Sequence, residues 1–166
     1  TIFAALTQAG DHVVCSTAVY GPTTTLLNTI MKKFGVETTF VNTAKLDEVQ
    51  KAIRPNTKIV YVETPGNPTL CISDIEEISK IAHKNNAVVA VDNTFMSPAL
   101  QKPIALGADV VMHSLTKFLN GHADVVGGII VVKDEETYLH FRKTLNQVGG
   151  VIDPFNSFLV HRGLKT

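Results

Sequence analysis

The sequence has no tryptophan and only two cysteines, Cys15 and Cys71, in 166 residues. Two cysteines build no disulfide framework, and their spacing matches no metal-binding pattern. That composition suits a reducing cytoplasm. Charge of either sign is not in excess, since 15 Lys and Arg face 15 Asp and Glu. A basic field that would gather nucleic acid or an anionic membrane is therefore missing. No apolar run reaches the ~18 residues that suggest a membrane span. No repeat or low-complexity stretch is visible. No Gly-x-Gly-x-x-Gly follows a strand, so the dinucleotide fingerprint is absent. Six histidines are present, and His122 has no second ligand at helical spacing, so no metal site is expected there.

What remains is a globular composition, 45% apolar and 18% charged, with one domain as the default. Short apolar runs alternate with helical patterns. Strands are expected at His12–Ser16, Val36–Val41, Lys58–Val62, Ala87–Asp92, Val110–Met112 and Ile129–Val132. Helices are expected over Thr1–Gly10, Thr23–Phe34, Leu46–Ile53, Ser73–Lys84, Glu135–Gln147 and Asp153–Arg162. Leu26, Leu27, Ile30, Met31 and Phe34 lie at helical spacing and read as core. Ser73-Asp-Ile-Glu76 reads as a capping box, with Ser73 as N-cap. Asp134 reads as a second cap. Strand–helix alternation of this kind argues an α/β fold with a mostly parallel sheet flanked by helices.

In such sheets ligands bind beyond the carboxyl ends of the strands. Two strand ends carry chemistry. After Val110–Met112 come His113, Ser114, Thr116 and Lys117. A lysine against apolar walls gives up its charge more readily, and a neutral amine attacks a carbonyl to form a Schiff base. Two hydroxyls beside it can donate to phosphate oxygens. An aldehyde and a phosphate together describe pyridoxal phosphate. The strand Ala87–Val91 ends in Asp92, the acidic partner that a pyridine nitrogen needs if the ring is to accept electrons. The plainer alternative for Lys117 is an ordinary surface lysine. His122, within Asn120-Gly-His122, reads as a structural hydrogen-bonding residue. His113 reads as packed.

Five stretches extend the pattern: Tyr20-Gly21; Glu63-Thr-Pro-Gly-Asn-Pro-Thr69; Val91-Asp-Asn-Thr-Phe95; His113-Ser-Leu-Thr-Lys-Phe-Leu-Asn-Gly-His122; and Arg162-Gly-Leu-Lys-Thr166. In their order and spacing they resemble the Cys/Met-metabolism, or transsulfuration, family of pyridoxal-phosphate enzymes. That group includes cystathionine γ-lyase, methionine γ-lyase and cystathionine γ-synthase. The resemblance implies the large domain of a fold-type I, aspartate aminotransferase-like enzyme. It implies a bond from Lys117 to the cofactor pyridoxal 5'-phosphate and a pairing of Asp92 with the pyridine nitrogen. By the same resemblance Tyr20 stacks on the ring, and Asn67 reaches the phenolic oxygen and the substrate carboxylate. Ser114 and Thr116 serve the phosphate, and Glu63 stands behind the site.

The activity so implied is elimination of a thiol from a sulfur amino acid, cystathionine or methionine, with a 2-oxo acid and ammonia as the other products. γ-Replacement on an O-acyl-homoserine is the near alternative. Pro22 stands where methionine γ-lyases usually carry cysteine, which argues against a methionine-specific enzyme. The family also implies a homo-oligomer, a tetramer built as a dimer of dimers. The chain starts at Thr1 without methionine. It reads as a fragment in which residues 1–150 are part of the cofactor-binding domain and residues 151–166 begin a linker helix to an absent C-terminal domain. Such a fragment is expected to be inactive by itself, because the family's substrate-binding arginine lies in that domain.

Overall fold

The strands follow from β-branched runs too short for helices. In the computed structural model, which describes residues 1–166, they are β1 His12–Ser16, β2 Glu37–Val41, β3 Thr57–Glu63, β4 Val88–Asp92, β5 Val110–Ser114 and β6 Gly128–Val132. They form one sheet in the order β2-β1-β3-β4-β5-β6. The first five are parallel, and β6 runs antiparallel to β5. The chain adds β2 on one side of β1 and every later strand on the other. The reversal of direction lies between β1 and β3, the place where open α/β sheets take ligands.

Seven α-helices accompany the sheet: α1 Ile2–Leu6, α2 Gly21–Leu26, α3 Leu46–Ala52, α4 Ile75–His83, α5 Ser97–Leu100, α6 Glu135–Val148 and α7 Pro154–Gly163. They cover both faces. Val13, Cys15, Ile59, Tyr61, Ala90 and Val110 pack against Phe3, Leu27, Met31 and Phe141. Val14, Val60, Val62, Val89 and Val91, alternating with these, pack against Val49, Ile75, Ile78 and Ala82. Strands buried on both sides read as continuous apolar runs, which is why the central ones are Val and Ile throughout. Burying each such side chain contributes about 1.5–3 kcal/mol. No helix is long and apolar enough to cross a membrane.

Several expectations move at the edges. The first helix stops at Leu6, not Gly10: Thr7 is already extended, and its hydroxyl donates back to Phe3 O at 2.7 Å. Gly10 instead makes the turn into β1 at φ +90°, a conformation that favours glycine. After α2 the helix widens into a π turn over Leu27–Met31. That turn shifts the phase of later residues, so Leu27 and Met31 are buried while Phe34 is 67% exposed. The N-cap of α4 is Asp74, which accepts the Glu77 N–H at 3.0 Å, and not Ser73. Ser73 is buried and bonds Thr43 Oγ1 at 2.7 Å. Asp134 caps α6 as expected, and Asp153 caps α7. β5 runs two residues beyond Met112, because His113 and Ser114 pair with Ile129 and Gly128 of β6.

Candidate active site at the carboxyl ends of β1, β3, β4 and β5

Alternation along the strands places Glu63, Asp92 and Ser114 on one face. Glu63 follows Tyr61 by two residues, Asp92 follows Ala90, and Ser114 follows Met112, and all three predecessors belong to the first core. Glu63 and Asp92 are register partners on β3 and β4. Both are buried, Glu63 at 4% and Asp92 at 7% exposure. The two carboxyls therefore stand side by side in a poorly solvated place, and no Lys or Arg of the chain forms an ion pair with either.

Each carboxyl responds to that setting. Burial raises the Asp92 pKa, although two bonds from Thr94 pull the other way. Burial likewise pushes Glu63 up to about 7, with the Tyr20 N–H opposing and the Asp92 charge adding to the rise. Desolvation disfavours a carboxylate unless a cation or enough donors replace the lost water.

Asp92 is tied to the Lys117 turn through a residue that sequence reasoning did not single out. Thr94 donates to Asp92 Oδ1 from its N–H (3.0 Å) and from its hydroxyl (2.5 Å). The same hydroxyl oxygen accepts the Ser114 N–H at 2.9 Å. The available signal was the Asp92-Asn-Thr94 spacing, at which an aspartate commonly accepts from the backbone two residues on. His113, buried on β5, has its pKa lowered by burial while the Asp92 charge favours its protonated form.

The Lys117 segment is a π turn, Leu115–Leu119, whose backbone leaves helical values at Lys117 (φ −103°, ψ −132°). Thr116 Oγ1 accepts the Gly127 N–H at 3.1 Å and so clips the turn to the start of β6. On its far side Arg162 of α7 bonds Asp124 at 2.6 Å, and Asp124 in turn accepts from Asn120 at 2.8 Å. Gly163 touches the Asn120 backbone so closely that a Cβ would stand 2.2 Å from its carbonyl oxygen. His122 bonds Asn120 O at 2.6 Å, the structural role expected of it. Lys117 is exposed, not walled in by apolar side chains as the sequence suggested.

Tyr20 and Asn67 arrive from the loops after β1 and β3. The Tyr20 N–H donates to Glu63 Oε2 at 2.7 Å, and the ring is 54% exposed. Asn67 is half-buried. The two loops touch where Gly66 meets Ala18: a Cβ on Gly66 would lie 2.7 Å from the Ala18 Cβ. Behind them Gln101 donates to Asn93 Oδ1 (2.8 Å) and to Thr64 O (3.0 Å), which joins the loops after β3 and β4. The strand ends thus set two hydrogen-bonded groups side by side, Glu63 with Tyr20 and Asp92 with Thr94 and Ser114, with Thr116 and Lys117 on the adjoining turn. A cavity of about 500 Å³ lies elsewhere, on the opposite face, lined by Val111, His113, Ile129, Val131, Ile152 and Val160 among others. It has no carboxylate in its lining, although Asn93, Gln101, His113 and Leu115, which flank the site, also line it.

Comparison with known proteins bears on this arrangement. The chain is 49% identical over 161 residues to the L-methionine gamma-lyase of Fusobacterium nucleatum, covering 96% of this chain and 41% of that protein. It is 48% identical over 162 residues to the cystathionine gamma-synthase of Mycobacterium tuberculosis, covering 98% and 42%. The crystal structure of cystathionine gamma-lyase from Lactobacillus plantarum complexed with L-serine superposes with a TM-score of 0.97 at 42% identity, over 99% of this chain and 43% of that one. The chain therefore spans about two-fifths of the length of these relatives. The family model described as Cys/Met metabolism PLP-dependent enzyme matches residues 1–166, and the chain belongs to that family.

Proposed function

We propose that the protein carrying this chain is a pyridoxal-phosphate-dependent carbon–sulfur lyase that eliminates a thiol from cystathionine or methionine, leaving a 2-oxo acid and ammonia. One observation carries the reading. Asp92 is a buried carboxyl at the ligand-binding end of the sheet, its pKa raised by burial, with no cation of the chain paired to it. A cationic ring nitrogen is the partner that such a carboxyl lacks.

The remaining residues fit the cofactor. Lys117 offers an exposed amine next to Ser114 and Thr116, whose hydroxyls suit a phosphate, and Tyr20 offers a half-exposed ring. When bound, pyridoxal phosphate supplies an electron sink for the bonds at the substrate Cα. Lys117 would hold the cofactor covalently, and its amine would move the protons at the substrate Cα and Cβ. Asp92 keeps a proton on the ring nitrogen, with Thr94 fixing the orientation of its carboxyl. Tyr20 would offer its ring to the cofactor, and Asn67 would orient the cofactor and the substrate carboxylate.

A second reading is γ-replacement on an O-acyl-homoserine, favoured by the 48% identity to a γ-synthase. Product analysis with cystathionine, methionine and O-succinylhomoserine separates the two. We further propose a cytoplasmic homotetramer, with residues 1–150 in the cofactor-binding domain and residues 151–166 opening the linker helix. The test of the central assignment is borohydride reduction of the full-length holoenzyme followed by peptide mapping. The pyridoxyl label is expected on Lys117, and a label on another lysine would overturn the assignment.

A further inference from the structure

Glu63 is a buried ionisable group to which the reaction assigns no chemical step. Its one hydrogen bond to another element crosses from the end of β3 to the Tyr20 N–H at 2.7 Å, 43 residues away in sequence. Tyr20 lies just ahead of α2, and its carbonyl accepts the Thr23 N–H at 2.8 Å, so the Tyr20 backbone is tied to the start of that helix. A backbone N–H at this place could be satisfied by any neutral acceptor. A carboxylate makes the bond roughly twice as strong, at the cost of burying a charge.

The groups around Glu63 are few. Asp92 faces it from β4, the Cys15 thiol from β1 and Tyr61 from its own strand, and each interacts with it electrostatically. None of them is a cation. His113 lies beyond Asp92 and acts on Asp92. The only group that favours the Glu63 charge is the Tyr20 N–H.

We propose that Glu63 is a positioning residue that holds Tyr20 at the switch point of the sheet, and that the hold tightens when its carboxyl is ionised. The proposal rests on the reading that Tyr20 faces the cofactor. Burial and the Asp92 charge bring Glu63 into the neutral range, to about 7. As pH falls through that value the carboxyl takes up a proton, and the bond to the Tyr20 N–H weakens to that of a neutral acceptor. The hold is therefore firmer on the alkaline side and looser on the acid side. Glutamine at this position would keep an acceptor oxygen but could not switch.

The test uses two readouts. The first needs no variant: the full-length, cofactor-free protein is labelled with ¹⁵N-tyrosine, and the Tyr20 amide, assigned by its loss in Tyr20→Phe, is followed from pH 5 to 9. Its proton should move downfield as pH rises, with a midpoint near 7. An amide that stays still, or that titrates equally in Glu63→Gln, overturns the proposal. The second is the pH profile of the holoenzyme. Glu63→Gln should lose the acid limb of kcat/KM, and its plateau should drop by about tenfold through kcat, the weight of one charge-assisted hydrogen bond. A profile with the wild-type acid limb intact would overturn it as well. Borohydride labelling of Lys117 in the holoenzyme separates this outcome from failure of the functional reading. A labelled Lys117 with a still Tyr20 amide rejects the Glu63 role alone, whereas an unlabelled Lys117 rejects the reading itself.

Discussion

Asp92 and Asp109 are the same residue type on the same sheet, at opposite ends of its strands. Asp109 sits just before β5, at the amino end. Its carboxyl accepts the Val89 N–H (2.9 Å), the Lys133 ammonium (2.5 Å) and a His83 ring nitrogen (2.8 Å). Burial alone would raise it, but these three bonds outweigh burial and hold the carboxyl below its ordinary value. Asp92, at the carboxyl end, has Thr94 and no cation, and burial raises it. One end of the sheet is electrostatically complete. The other carries a buried acid that no cation of the chain pairs with. Structural carboxylates stabilise a fold by being satisfied, and a carboxyl kept ready for a ligand does so at some expense of stability.

The largest expected effect of breaking this contrast is on turnover. Asp92→Asn keeps the Thr94 bonds but cannot hold a proton on a ring nitrogen. The full-length enzyme should lose on the order of a thousandfold in kcat, roughly 4 kcal/mol of barrier, while its Tm stays the same or rises. Steady-state kinetics beside a thermal melt checks both halves.

The next effect is on stability against pH. A group whose folded pKa is raised favours the native state at low pH, and that contribution is lost as pH climbs through the folded value. For Glu63, between its ordinary 4.5 and about 7, the native state should weaken as pH rises. The total is on the order of 3 kcal/mol. Asp92 acts in the same direction. Urea melts across this window should show the fall in wild type and a flatter line in Glu63→Gln.

The smallest effect belongs to the amino end. Asp109→Asn should leave kcat unchanged and cost about 1–2 kcal/mol in urea melts at neutral pH. The sign of its pH dependence is opposite. A lowered carboxyl stabilises above its ordinary pKa and loses that contribution as pH falls through the folded value. The gap between wild type and Asp109→Asn should therefore close in acid.

Much of this was visible before any coordinates. All six strands and helices α3, α4, α6 and α7 follow from short β-branched runs, helical periodicity and cap residues such as Asp134, whereas the short helix α5 reads only as a connection. The motifs around Tyr20, Asn67, Asp92 and Lys117 marked the loops that the fold does bring to one edge. What escaped was non-local or subtle in phase. Phe34 fell outside the core because a π turn, invisible in a 3.6-residue pattern, precedes it. Ser73 lost its cap to Asp74 because Thr43, 30 residues earlier, offered it a buried partner. The Thr94 bridge and the Glu63–Tyr20 bond join separate strands, so no local pattern encodes them. Lys117 was placed on the right turn, but its exposure depends on packing that spacing alone does not describe.

The contrast between the two ends of the sheet is tested most directly by carboxyl ¹³C NMR of the full-length protein labelled at aspartate. Assignment comes from Asp92→Asn and Asp109→Asn, and the titration is run without and with pyridoxal phosphate. The expected result is an Asp92 carboxyl that titrates above the ordinary aspartate range without cofactor and drops below it once the cofactor is bound. Asp109 should titrate below that range in both states. An Asp92 that already titrates low in the cofactor-free protein, or one that does not move on loading, would contradict its assignment as the partner of the ring nitrogen.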